Sequence, residues 1–366
     1  MSIAFGIAYS YGVFLEEMRA DFGAGRATGA VFFSLTSLLY FALGGVSGVA
    51  SDRFGPRRVL LVGAAALGLG LVATARAGSL GIALVTYGLG VGIGVACAYV
   101  PMVALVGAWF ERRRTLALGV AVAGIGVGTL AIPPAAAALI EAIGWRDTYL
   151  VLAAVGTAGL ALCALAAAPA PRWEDRRGAP LGEVLGAADY RWLYLSLMLM
   201  SVALFVPFVH LPAYAEGHGI DPVLAAGLIG AIGSASVVGR LALGALAGTV
   251  GLLRIYQGCF LAIGLSFGLW WGAGSSYVVM LIFAIALGVG YGGFVALGPA
   301  VIAARFGVER LGALLGVLYT AAGVGSAVGP PAAGAAIDAF GYAPAIAGSL
   351  VMGLASFCAL LPLTRR

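Results

Sequence analysis

The chain has 366 residues, 62% of them hydrophobic and only 10% charged, with a formal net charge of +5. A soluble chain carries about a quarter charged residues to wet its surface, whereas 20 basic and 15 acidic side chains must serve this whole molecule. The composition is that of an integral membrane protein; disorder, a disulfide-stapled secreted domain and a nucleic-acid-binding module are excluded, because the positive charge comes from scattered arginines rather than a basic face.

A helix needs about 20 apolar residues to cross a hydrocarbon layer about 30 Å thick. Breaks at charged or Pro/Gly clusters divide the chain into twelve such runs, near residues 1–16, 27–50, 57–76, 79–109, 115–140, 147–168, 191–215, 223–248, 254–273, 276–304, 311–337 and 342–363. Runs of this length without period-two alternation do not suit a transmembrane barrel. The 58 glycines suit close helix packing instead. The first run lacks the basic start and cleavage site of a signal peptide, and it is short for a crossing at about 1.5 Å per residue; the first helix is therefore expected to begin upstream of Met1. Cys97, Cys163, Cys259 and Cys358 each lie alone in an apolar run. No metal or cofactor is expected from them.

Every basic residue is an arginine. With the amino end in the cytoplasm, the loops and tail on that side hold fifteen (including Arg53, Arg57, Arg58, Arg112, Arg113 and Arg114), against Arg19, Arg26, Arg76 and Arg146 opposite. The positive-inside rule then places both termini in the cytoplasm of a multi-pass cell-membrane protein.

Residues 112–145 align without a gap on 309–342, an offset of 197, so that GVGTLAIPPAAAALIEAIGW answers GVGSAVGPPAAGAAIDAFGY. Gly126/Gly323, Pro133/Pro330, Pro134/Pro331 and Gly144/Gly341 are identical pairs. The expected fold is thus all-α and membrane-embedded, twelve transmembrane helices in two parallel six-helix halves. An N-terminal half over 1–168 and a C-terminal half over 191–366 flank a cytoplasmic central loop over 169–190. Parallel halves suggest alternating access, with a solute site between them near the midplane.

GVASDRFGPRR (48–58) resembles the hallmark loop of the major facilitator superfamily. There an aspartate and nearby arginines form a conformational latch, which the resemblance assigns to Asp52, Arg53, Arg57 and Arg113. Pro56 stands where a basic residue is usual, and the second-half copy has Gly248 in place of the aspartate. WFERRRTLALGVAVAGIGVG (109–128), GWRDTY (144–149) and LGALLGVLYTAAGVGSAVGPPAAG (311–334) resemble the monocarboxylate porter family and its bacterial oxalate:formate antiporter relatives.

Arg240 is the sharpest chemical signal. It sits inside the eighth run, in SASVVGRLALGALAG, where an arginine costs about 2.5 to 3.5 kcal/mol to insert. Either it snorkels or caps backbone carbonyls, or its planar guanidinium faces a cavity and grips an anion. The resemblance favours the second role, since an arginine there binds the substrate carboxylate in the family. One buried cation neutralises one carboxylate, whereas a dianion would leave a costly second charge. Ala322, where the antiporter has a lysine, points the same way. Tyr9, Tyr99 and Tyr319 are candidate cavity-wall residues whose hydroxyls can donate to a carboxylate. For proton coupling the family's helix 8 aspartate is replaced by Ser236, and its helix 1 lysine by Tyr9; His210 in PFVHLPAY is the candidate carrier because histidine is the residue type suited to proton transfer near neutral pH, with a hydrogen-bonded packing role as its alternative.

These readings point to a non-enzymatic, monomeric secondary transporter of small monocarboxylates such as lactate or pyruvate, coupled to protons. A carboxylate exchanger of the oxalate:formate type is the alternative. A membrane sensor or intramembrane protease, suggested by the GxSG string around Ser47, is the reading of a different class.

Overall fold

The computed structural model describes residues 1–22, 28–110, 114–167, 181–307 and 310–365, and every regular element among them is a helix. α1 (Ser2–Tyr9) and α2 (Tyr11–Phe22) cover the first apolar run and extend beyond it. α3 (Thr28–Phe54), α4 (Pro56–Ala75) and α5 (Leu80–Trp109) follow, and α6 (Arg114–Ala166) carries the fifth and sixth runs. After the short α7 (Leu181–Gly186), α8 (Ala188–Leu204) and α9 (Val206–Gly217) share the seventh. α10 (Pro222–Val250), α11 (Leu252–Trp271), α12 (Tyr277–Phe306), α13 (Leu311–Phe340) and α14 (Tyr342–Leu360) are the last five, and Leu361–Arg365 closes the chain as a 3-10 turn. Nine helical stretches among the described residues are long and apolar enough to cross a bilayer, one of them, Leu116–Ala166, spanning two of the runs read from sequence. α7 and the first residues of α8 fall in the stretch read as loop.

The breaks have local causes. Gly144 takes φ 80° inside α6, and its repeat partner Gly341 takes φ 80° before α14. Only glycine visits that region without a Cβ penalty, so the sixth and twelfth helices turn on the same device. Between α8 and α9 the chain meets Pro207, which has no N–H to continue the ladder. At Ser10, between α1 and α2, the Tyr87 hydroxyl donates to the Ile7 carbonyl at 3.0 Å. A side chain thus satisfies a backbone acceptor at a helix end, as a lipid surrounding requires.

Two compact units emerge. The first comprises Met1–Trp109, Gly124–Arg176 and Arg310–Thr320; the second comprises Phe110–Ala123, Arg177–Glu309 and Ala321–Arg366. The opening turns of α6 therefore pack with the second unit, and those of α13 with the first. Within the first unit α5 packs against α3 and α4. Arg146 ties the far end together: Nη1 donates to the Ala75 and Ala77 carbonyls at 2.9 and 3.1 Å, Nη2 pairs with Asp21 at 2.8 Å, and the guanidinium lies 4.3 Å from the Trp145 ring centre. Within the second unit α12 packs against α10 and α11, and α14 against α8 and α11. Arg305 pairs with Asp189 and donates to the Leu363 carbonyl, anchoring the chain end. Outside these contacts, large apolar side chains such as Leu69 and Leu162 are exposed, as lipid contact allows.

Candidate functional site

α10 presses against α12 with almost no side-chain padding. A Cβ at Gly239 would meet the Val289 carbonyl oxygen at 2.2 Å. This approach buries Arg240 to 1% exposure. Its Nη1 donates to the Val122 carbonyl on α6 at 3.0 Å, and its guanidinium carbon lies 5.6 Å from the Tyr291 ring centre. A Cβ at Gly119 would lie 3.2 Å from the Arg240 carbonyl oxygen, so the opening turns of α6 fit closely against this point. Nε is buried without a hydrogen-bond partner, and no carboxylate among the described residues pairs with the side chain. One carbonyl and one aromatic face offset only part of the cost of burying a cation. The carbonyl-capping role seen as an alternative in the sequence is thus real, but it leaves donor capacity unused. Ser236, one turn earlier, is buried and donates to its own helix at the Gly233 carbonyl (2.8 Å).

The three candidate tyrosines meet in the first unit. The Tyr99 and Tyr319 hydroxyls are 3.0 Å apart, with their rings stacked at 5.3 Å between centres. Phe5 joins them to the third, standing edge-on to Tyr99 at 5.2 Å and stacked on Tyr9 at 5.8 Å. Tyr40 and Phe41 extend the cluster, against Phe5 and Tyr319 respectively. Tyr9 also helps line a small cleft with Thr36, Ser37 and Tyr87. The result is an apolar wall carrying hydroxyl groups, a surface suited to a small molecule with a polar end. Arg240 belongs to the second unit.

His210 on α9 is half-buried, and its Nε2 lies 2.9 Å from the Pro330 carbonyl oxygen on α13. With Nε2–H as the donor there, Nδ1 is the nitrogen left to take a proton. The hydrogen-bonded packing role is thus present in the structure. Ser47 is buried, and its hydroxyl lies within reach of the Gly44 and Ala96 carbonyls at 3.0 and 2.8 Å. It has the geometry of a packed serine rather than of an activated nucleophile.

Asp52 ends α3 just past the apolar run. Its Oδ1 faces α13, 3.6 Å from where a Cβ on Gly312 would stand. Desolvation pushes its carboxyl up to about 6, while Arg310 pulls in the opposite direction. Arg53 lies 5.2 Å from the Phe54 ring centre, and Arg57 is exposed. Arg113 lies outside the described residues. Beneath Asp52, α3 and α13 touch backbone to backbone: a Cβ at Gly48 would meet the Gly312 oxygen at 2.5 Å, and one at Gly316 would meet the Gly45 Cα at 2.2 Å.

Four participants escaped the sequence reading: the Val122 carbonyl, Tyr291, Phe5 and Arg310. A carbonyl carries no sequence signal, and Tyr291 and Phe5 are single aromatics in apolar runs. Arg310 was findable, because the 197-residue offset pairs it with Arg113.

The model of the Major Facilitator Superfamily matches residues 1–283 and 250–366. The chain is 32% identical over 355 residues to "Monocarboxylate transporter 3" of Rattus norvegicus, covering 92% of this chain and 71% of that protein. It is 28% identical over 370 residues to "Monocarboxylate transporter 13" of the same species, covering 99% and 86%. The crystal structure of the human organic anion transporter MFSD10 (TETRAN) is similar with a TM-score of 0.76, covering 98% of each chain at 15% identity, a likeness that concerns the fold alone.

Proposed function

The chain belongs to the Major Facilitator Superfamily and is a secondary transporter; on that premise we propose that it moves small monocarboxylates across the cell membrane by alternating access. The observation that carries this reading is Arg240, a guanidinium 1% exposed whose Nε has no partner and which no described carboxylate neutralises. A monoanion supplies the missing charge and acceptors together, in a bidentate geometry that suits the planar fork. A dianion would carry in a second, unneutralised charge. Tyr9, Tyr99 and Tyr319 form the cavity wall. The halves 1–168 and 191–366 rock about the site, with both termini cytoplasmic. The latch is formed by Asp52 with Arg53, Arg57 and Arg113, to which we add Arg310. The working unit is the monomer.

We assign the coupled proton to His210 Nδ1, the ring nitrogen not engaged with Pro330. A second reading, carboxylate exchange, is favoured by Ser236, whose hydroxyl bonds its own helix where the resembled proton-linked transporters have an aspartate. Counterflow of labelled lactate and pyruvate in proteoliposomes, with internal pH recorded, tests both. Uptake with acidification supports symport, and uptake that needs internal carboxylate and leaves pH unchanged supports exchange. Absence of uptake overturns the proposal.

A further inference from the structure

α3, α4 and α5 enclose a groove of about 340 Å³ within the first unit. It runs along α3 from Leu43 to Phe54, with Ile93 and Cys97 of α5 and Val62 of α4 on its walls, and Arg58 among its lining residues. The wall is otherwise apolar. Ser47, the hydroxyl residue in it, turns its polar atom onto backbone carbonyls. Val62 and Phe54 are 61% and 52% exposed, so the groove is accessible from outside the helix bundle.

Two features decide what fits. At 1.5 Å per residue, Leu43 to Phe54 spans about 16 Å, which is close to half of the roughly 30 Å hydrocarbon layer. The groove therefore has the length of one leaflet. Arg58, in the first turn of α4 and next to the Phe54 end, is exposed, and no carboxylate among the described residues pairs with it. An apolar slot of leaflet length ending at a free guanidinium matches an acyl chain ending at an anionic headgroup.

We propose that this groove is a binding site for an anionic phospholipid, with one acyl chain along α3 and the headgroup phosphate on Arg58. The lipid holds together the α3–α4 corner that carries Asp52, independently of what the transporter moves.

Native mass spectrometry of the full chain in detergent, with equal amounts of dioleoyl phosphatidylglycerol and dioleoyl phosphatidylcholine, tests the site. The wild type is expected to retain phosphatidylglycerol over phosphatidylcholine by about fivefold, the scale of one arginine at an anionic surface. Arg58→Gln equalises the two lipids. Arg254→Gln, at the repeat counterpart of Arg58, leaves the selectivity intact. Val62→Trp, an exposed position that the larger ring turns into a plug, lowers phosphatidylglycerol retention although Arg58 is present. Equal retention by the wild type overturns the proposal, as does loss of selectivity in Arg254→Gln to the same degree as in Arg58→Gln. Unchanged retention in Val62→Trp, or displacement of the lipid by free sn-glycerol 3-phosphate, overturns the acyl-chain part.

Discussion

Replacing Gly316 by alanine adds one methyl group at the α3–α13 contact, and the structure says what it meets. The new Cβ would stand 2.2 Å from the Gly45 Cα, 2.6 Å from the Gly45 nitrogen and 2.8 Å from the Gly44 oxygen. All three are backbone atoms, so no side chain can swing aside, and the helices must part by more than 1 Å to restore ordinary contact. Overpacking of this kind costs about 1 to 3 kcal/mol. In a transporter that alternates, the cost falls only on the conformation in which α3 and α13 touch. That conformation should therefore lose about 5- to 150-fold in population against its rival. Gly45→Ala is the matched control: its Cβ meets nothing closer than 3.4 Å, and the gain in helix propensity is common to both conformations. The assay is the labelling rate of a cysteine placed at Ala104, whose Cβ lies 3.5 Å from where a Cβ on Gly312 would stand, in a background free of the four native cysteines, with a membrane-impermeant maleimide. Gly316→Ala should raise that rate at least fivefold and slow uptake, and Gly45→Ala should change neither. Equal effects of the two substitutions, or none from Gly316→Ala, would mean that the α3–α13 contact is not confined to one conformation.

Asp52 predicts a pH dependence. Its carboxyl is raised from 3.8 to about 6, so the stability it contributes is fully present below pH 3.8 and is lost as pH rises through about 6. Thermal unfolding should show the wild type losing stability between about pH 4 and 6 and levelling off above, with Asp52→Asn flattening that slope; an Asn variant less stable than wild type at pH 7 would mean that attraction to Arg310 outweighs desolvation. Tyr99→Phe and Tyr319→Phe each remove the hydroxyl–hydroxyl bond, worth about 0.5 to 1.5 kcal/mol, and a double-mutant cycle on KM should show coupling of that size and a double variant little worse than either single. His210→Gln should abolish the dependence of uptake on a pH gradient while counterflow persists; an unaltered gradient dependence would remove His210 from the coupling. Arg146→Ala breaks an ion pair and two bonds to carbonyls at once, and it should lower the thermal midpoint by an amount equivalent to about 1 to 3 kcal/mol with KM unaltered.

Much of this was legible in the sequence, because a bilayer leaves few options to a chain with so little charge. Run lengths locate the helices, and Gly144 and Gly341, paired in the sequence alignment of the two segments, share one backbone geometry. Run length did not locate the interruptions. At the Ser10 break the Ile7 carbonyl accepts from the Ser10 hydroxyl and also from Tyr87, far along the chain, and at the Phe205 break stands Pro207, which an apolar count does not distinguish from its neighbours. At the site, Arg240 stood out because a lone charge in a span has a cost that composition reveals. Its actual contacts are a carbonyl and an aromatic face, and neither follows from a one-dimensional pattern. The tyrosines came from position and resemblance, whereas their assembly through Phe5 belongs to the packing.

If Arg240 holds the transported anion, as proposed, uptake depends on both its charge and its planar fork. Uptake of labelled lactate and pyruvate into proteoliposomes by wild type, Arg240→Lys and Arg240→Gln tests it most directly, with correct folding of each variant checked by thermal unfolding. Folded Arg240→Gln should lose uptake by at least 100-fold, the scale of removing one partner from a buried charge-assisted contact, and Arg240→Lys should recover only part of it because a point charge lacks the bidentate fork. Monocarboxylate uptake by Arg240→Gln at the wild-type rate would mean that Arg240 does not hold the anion.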